Sequence, residues 1–200
     1  MIPIALATED ELSQAIALRL ISELKRPHRV IHKLGLKGNG YLRSKMDSWC
    51  QMAEHQIMLV LTDLDQANCL VEFRDQWLAQ RRLPASLIFR IAVREVESWV
   101  LADHQAMREL VGKIGVLPPQ PDTLPDPKQA LLGLGKTAPK GVRNDLIRTI
   151  DGQLRQGVGY NARLTHWINT AWSPERAAER SPSLARARIR IQEAAVAFAA

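Results

Sequence analysis

An α/β fold, with a mostly parallel sheet flanked by helices and a helical C-terminal extension, is the architecture this sequence predicts. Three observations predict it. Over the first 114 residues short apolar runs alternate with helical periodicities, the pattern of repeated strand–helix units. Two of those runs stop abruptly at acidic clusters: Ile4-Ala5-Leu6-Ala7 meets Thr8-Glu9-Asp10-Glu11, and Ile57-Met58-Leu59-Val60-Leu61 meets Thr62-Asp63-Leu64-Asp65. Beyond a proline-dense stretch the periodicity becomes helical throughout.

Residues 2–7 read as the first strand. Leu12, Ile16, Leu20 and Leu24 then recur at every fourth position, which marks one face of a helix. Residues 28–34 read as a second strand, closed by Gly35. Gly38-Asn39-Gly40 reads as a turn or a phosphate-facing loop, followed by a helix through about Glu54. Residues 57–62 form the third predicted strand, and 66–82 a helix with Leu70, Phe73, Trp77 and Leu78 on one side. Pro84 breaks it, 86–92 supply a fourth strand, and 95–111 read as helix. Pro118, Pro119, Pro121, Pro125 and Pro127 make 115–127 a linker or surface loop, since that many prolines oppose regular structure. Helices are expected at 128–133, 142–155, 161–171 and 183–198. The resulting partition is an α/β domain at 1–114, a linker at 115–127, and a basic helical extension at 128–200 packed on the same domain.

With 46% hydrophobic residues the chain can bury a core, which excludes global disorder. Cys50 and Cys69 show no paired zinc spacing and predict reduced thiols in a cytoplasmic protein. Met1-Ile2-Pro3-Ile4 is too short for a signal sequence, and no apolar stretch nears the roughly 20 residues of a membrane helix. The net charge of +6 is unevenly placed. Residues 1–135 hold 16 basic and 16 acidic side chains, against 11 and 4 in residues 136–190, so the excess lies in the C-terminal part. A neutral body with acidic clusters and a basic region suits an enzyme acting on nucleic acid. A solvated helical face is the competing reading of the same charge.

In a parallel sheet the strands end at one edge, where ligands bind. Carboxylates gathered there repel unless a cation neutralises them, and hard oxygen ligands select Mg²⁺ or Mn²⁺. Asp63 and Asp65 are two apart, and in an extended segment both point the same way, toward one metal. Glu9 follows the first strand in the same manner. Thr8 with Glu11 three positions later forms a capping-box pattern, which accounts for Glu11 and Asp10 and leaves Glu9 as the ligand. Glu95 and Glu97 follow the fourth strand and on a helix would diverge by about 200°, so one of them faces the strand ends. Glu97 is preferred for the metal. The expected metal ligands are therefore Glu9, Asp63, Asp65 and Glu97, with Glu95 added to the catalytic set. Asp103 is expected to be structural.

An acid after the first strand and an Asp-x-Asp after a later one, over about a hundred residues of strand–helix alternation, resemble the TOPRIM fold. That is the catalytic domain of topoisomerases, bacterial primases and several nucleases. In that family the first-strand glutamate looks like Glu9 here, and the aspartate pair maps to Asp63 and Asp65. The family glutamate is usually followed by glycine, whereas here Asp10 follows. Arg94-Glu-Val-Glu-Ser-Trp-Val-Leu-Ala-Asp103, Asp126-Pro-Lys128 and the stretch from Ser173 to Ser183 further resemble small stand-alone TOPRIM-like bacterial proteins of unassigned function. Relatives of that kind include the nuclease halves of ATPase–nuclease pairs in defence against phage. The resemblance implies a Mg²⁺-dependent nuclease, with DNA or RNA as substrate and an ATPase as partner.

On that expectation one ion acidifies a water and a second stabilises the leaving 3′-oxygen. Lys136, Lys140 and Arg143, in a glycine-bearing cationic segment, would grip the backbone. Arg155, Arg163, Arg186, Arg188 and Arg190 extend the track, although Arg186 and Arg190, four apart, equally suit a solvated helix face. Trp167 and Trp172 read as packing residues before base-stacking ones. The Gly133-Leu-Gly-Lys136-Thr stretch lacks the first glycine of a P-loop. A haloacid-dehalogenase-type phosphatase places its aspartate pair on the first strand and has Thr or Val where this chain has Ala67. The remaining alternative is a non-catalytic TOPRIM-like subunit that docks on an ATPase.

Overall fold

The computed structural model describes residues 1–199. They fold as two compact units: residues 1–93 with the chain from Arg186 onward, and residues 94–185. This division replaces the expected boundaries at 114 and 127, because the segment at 115–127 belongs wholly to the second unit.

The first unit runs β1 (Ile2–Thr8), α1 (Glu11–Ile21), β2 (His28–Gly35), α2 (Gly38–Ser44), α3 (Met46–Met52), β3 (Ile57–Asp63), α4 (Leu70–Leu78) and β4 (Leu87–Ala92). The strands make a four-stranded sheet in the order β2-β1-β3-β4, every pair parallel. β3 is buried along its whole length, which is why its sequence is an unbroken apolar run rather than an alternating one. One face of the sheet, bearing Ala5, Ala7, Met58, Val60, Leu87 and Phe89, packs against Leu42, Met46, Trp49 and Trp77. Trp77 stacks on Phe89 at 5.0 Å between ring centroids. The opposite set of β residues, including Ile4, Leu6 and Leu59, is buried as well, as are Leu12, Ile16 and Leu20 of α1.

The second unit holds α5 (Glu97–Ala102), α6 (His104–Val111), a 3₁₀ turn at Pro121–Thr123, α7 (Pro127–Gly135), α8 (Lys140–Leu146), β5 (Ile147–Ile150), β6 (Gln153–Gln156), α9 (Tyr160–Thr170) and α10 (Pro174–Ala178). The last helix, α11 (Pro182–Phe198), enters the first unit at Arg186. Ala200 lies outside the described residues.

Several elements differ from expectation. Gly38-Asn39-Gly40 is the first turn of α2, not a loop. The helix expected at 66–82 is confined to Leu70–Leu78, since Asp65 (φ 51) turns the chain before it and Ala79 (φ 45) closes it. The helix expected at 95–111 is interrupted at Asp103 (ψ 82), whose carboxylate caps α6 by accepting from the Ala106 N–H. The helix expected at 142–155 becomes α8 and an antiparallel hairpin. Asp151 and Gly152 both take positive φ, 49° and 74°, the tight turn that an Asp-Gly pair favours between twisted strands. The proline-rich segment is no bare linker either, for Leu117 and Pro121 are buried.

Candidate functional site

The strand order places a topological switch between β1 and β3: the chain leaves β1 toward β2 on one side and returns to β3 on the other. Crevices at the carboxyl ends of such a pair are where open α/β sheets bind ligands. Glu9 follows β1 and Asp63 ends β3, so the two flank that switch.

Local chemistry holds Glu9 in place. Its Oε1 accepts from the Thr62 hydroxyl and, at 2.9 Å, from the Asp63 backbone N–H. Burial raises the Glu9 carboxyl above its ordinary value; the Thr62 and Asp63 bonds oppose this, and the charges of Asp65 and Asp10 add to it. Asp65 is thus close enough to repel Glu9. Its own Oδ2 accepts from Asn39 Nδ2 at 3.1 Å, which ties the first turn of α2 to the end of β3. The turn between β2 and α2 is fastened to the same edge: Leu36 N–H donates to Thr8 O and Gly38 N–H to Glu9 O, at 2.8 and 3.1 Å. Gly35 permits this. It sits at φ +98, and a Cβ there would lie 2.1 Å from Thr8 O.

Two expectations are corrected here. Asp63 and Asp65 do not share a face of an extended strand, because β3 stops at Asp63 and Asp65 is left-handed (φ 51). Aspartate tolerates that conformation better than most residues. Nor is Thr8 the cap of α1. Asp10 is, accepting from the Ser13 N–H and hydroxyl at 2.8 and 2.7 Å. The residue that departs from the TOPRIM pattern is thus occupied in helix capping, in extended backbone (φ −145) that does not call for glycine.

The structure gathers Glu9, Asp63 and Asp65 in the first unit, with Asn39 and Thr62 as partners that the sequence did not single out. Comparisons with protein-family models, with curated proteins and with solved structures found no match. Among the described residues no three His, Cys, Asp or Glu side chains form a ready metal cage. Mg²⁺ does not demand one, since it keeps several waters and is usually bound through one or two carboxylates plus substrate phosphates. Glu9, Asp63 and Asp65 offer carboxylates for that mode but form no three-ligand group among the described residues.

Glu95 and Glu97 belong to the second unit and do not diverge as helical spacing predicts. Glu95 precedes α5 and Glu97 opens it, so both meet Lys128. Glu95 accepts from the Lys128 backbone N–H at 2.9 Å and from its Nζ at 3.2 Å. Glu97 lies 3.6 Å from the same Nζ and accepts from the Tyr160 hydroxyl at 3.0 Å. It is 2% exposed, and its Oε2 has no hydrogen-bond partner among the described residues. Burial pushes its pKa up to about 7, against the pull of Lys128. Tyr160 is raised well above its ordinary value by burial and by Glu97. Lys128 carried a signal in Asp126-Pro-Lys128; Tyr160 carried none.

Asp103 is structural, as expected: fully buried, it pairs with Arg176 through bonds of 2.9 and 2.7 Å. Trp167 and Trp172 are buried and donate to backbone oxygens of Ala106 and Trp99, which leaves no ring for a base. Lys136, Lys140 and Arg143 are all exposed. The glycine-bearing segment before them is helical through Gly135, not a flexible loop.

Proposed function

We propose that this chain is a Mg²⁺- or Mn²⁺-dependent nuclease of the TOPRIM type, hydrolysing phosphodiester bonds of nucleic acid. The observation that carries the reading is the placement of Glu9, Asp63 and Asp65 at the switch between β1 and β3. One or two of those carboxylates, together with substrate phosphates, would hold the ion. The chemistry such an ion supplies is a water acidified toward neutral pH and stabilisation of the leaving 3′-oxygen. The chain's own part is orientation. Thr62 and the Asp63 N–H hold Glu9, and Asn39 holds Asp65, so the negative oxygens are set before substrate arrives. Lys136, Lys140 and Arg143 serve the backbone phosphates as exposed cations.

The test is cleavage of a mixed panel of labelled DNA and RNA with Mg²⁺ or Mn²⁺, beside an Asp63→Ala/Asp65→Ala variant. Activity is expected to vanish in EDTA and to fall by at least about a hundredfold in the variant. Metal binding without cleavage by the folded chain would favour instead the docking subunit of an ATPase. Absence of metal binding would end the TOPRIM reading.

A further inference from the structure

One stretch of the first unit carries charge of a single sign. Residues 1–135 balance overall, yet between Glu23 and Asp47 the chain holds seven Lys and Arg and no Asp or Glu. All seven are exposed, and none joins an ion pair among the described residues. The two acids that border the stretch are already engaged. Glu23 accepts two bonds from the Arg188 guanidinium at 2.8 and 3.0 Å, and Asp47 two from Arg81 at 2.5 and 3.0 Å.

The fold fixes where these cations lie. β2 is an edge strand, paired on one side only, with β1. Arg29 and Lys33 belong to it, in register with Pro3 and Leu6. Its carboxyl end is tied to the candidate site, for Leu36 N–H donates to Thr8 O at 2.8 Å and Gly38 N–H to Glu9 O at 3.1 Å. Lys37 stands between those two bonds. Leu36 takes φ 59 beside it, a conformation that bulky side chains rarely adopt. Lys37 Nζ lies over the Tyr41 ring, 5.2 Å from its centroid. Cations thus run along the outer strand of the sheet and end beside the backbone of Glu9.

An edge strand invites a further strand to pair with it. The register shift between Ile4 and Ala5 leaves Ile31 as an unmatched residue, and bulges and edge cations both oppose such pairing. A second copy of this chain would also bring like charge to like charge. A polyanion whose phosphates these side chains neutralise suits the surface instead.

We propose that Arg29, Lys33 and Lys37 form the surface that holds the phosphodiester backbone of nucleic acid and leads it to the carboxylate site. The inference rests on the nuclease reading for its ligand, but its test requires no cleavage. Contacts of this kind set position and carry no sequence preference.

The experiment is fluorescence-anisotropy titration of the full chain in EDTA over a series of salt concentrations. The probes are a labelled single strand, a labelled duplex and a labelled oligoglutamate. The natural chain is compared with Arg29→Gln/Lys33→Gln/Lys37→Gln and with Lys37→Gln alone, each checked for folding by its urea midpoint. Nucleic acid is expected to bind the natural chain and to bind the triple variant about tenfold or more weakly. The slope of log K against log salt should shrink by about one for each phosphate no longer neutralised. Lys37→Gln should show a smaller loss of the same sign. The two nucleic-acid arms name the form of backbone that is held. If neither nucleic acid binds, or if the folded variants match the natural chain in affinity and slope, the proposal is overturned. Tighter binding of oligoglutamate than of either nucleic acid would also overturn it, in favour of an acidic protein partner. Because the readout is metal-free binding, a failure to cleave bears on the nuclease reading alone.

Discussion

Glu97 is a carboxylate shut among Lys128, Tyr160 and the start of α5, with one oxygen unpartnered. Its pKa of about 7, against 4.5 ordinarily, has a defined sign in stability. Between pH 4.5 and about 7 the unfolded chain gives up this proton while the folded chain keeps it. The unfolded state binds fewer protons there, so stability falls as pH rises through that window and is level above it. The fall attributable to this residue is roughly 3 kcal/mol at most. Glu97→Gln should flatten it, so that urea midpoints of variant and natural chain diverge between pH 5 and pH 8 in favour of the variant. Parallel pH curves for the two proteins would refute the assignment. At the carboxylate site, Glu9 is also raised by burial but is held by two donors, so its oxygen is positioned rather than orphaned.

The elements are decided by small capping groups as much as by periodicity. Asp103 ends α5, caps α6 and receives Arg176 and the Ser173 N–H. One buried carboxylate thus joins α6 to the start of α10. Asp103→Ala removes the carboxylate partner of the Arg176 guanidinium, which keeps only its bond to Ala171 O, and leaves two backbone N–H groups unmatched. It should cost about 3 kcal/mol or more, read as a lower denaturant midpoint with unchanged slope. A loss below about 1 kcal/mol would show that water replaces the carboxylate without difficulty. In the hairpin, Gly152 at φ +74 has open space around its missing Cβ, so Gly152→Ala tests backbone strain alone. About 1 kcal/mol is expected from the cost of a side chain in left-handed backbone, again by denaturant midpoint. No change would mean that the turn relaxes into another type.

For the whole molecule, charge is the property that reaches beyond any one pair of residues. The positive excess of residues 136–190 includes exposed Lys136, Lys140 and Arg143 and the hairpin, where Arg148 and Arg155 stand opposite each other in register. If these cations meet backbone phosphates, replacing Lys136, Lys140 and Arg143 by Gln should flatten the salt dependence of oligonucleotide binding. The slope of log K against log salt should drop by about one for each phosphate that is no longer neutralised. An unchanged slope would assign the basic surface to solvation. Among the described residues no helix is long and apolar enough to cross a membrane.

Much of this architecture is legible in the sequence because local pattern records it. Three of the four strands of the sheet, β1, β3 and β4, follow from apolar runs of the right length, and the parallel pairing from the helices between strands. Charge at the ends of 4–7 and 57–61 locates the sheet edge, since a strand buried on both faces stops where ionised groups begin. The hairpin reads locally as helix, although Asp151-Gly152 is a turn signal. By itself the sequence determined the α/β class, the strands of the parallel sheet and the carboxylates that border them, for these depend on residues a few positions apart. Only the tertiary structure decided that Asn39 holds Asp65 and that Glu95 and Glu97 converge on Lys128. Such pairings join residues 26 to 33 positions apart, and strand order and helix placement, not local periodicity, bring them within reach.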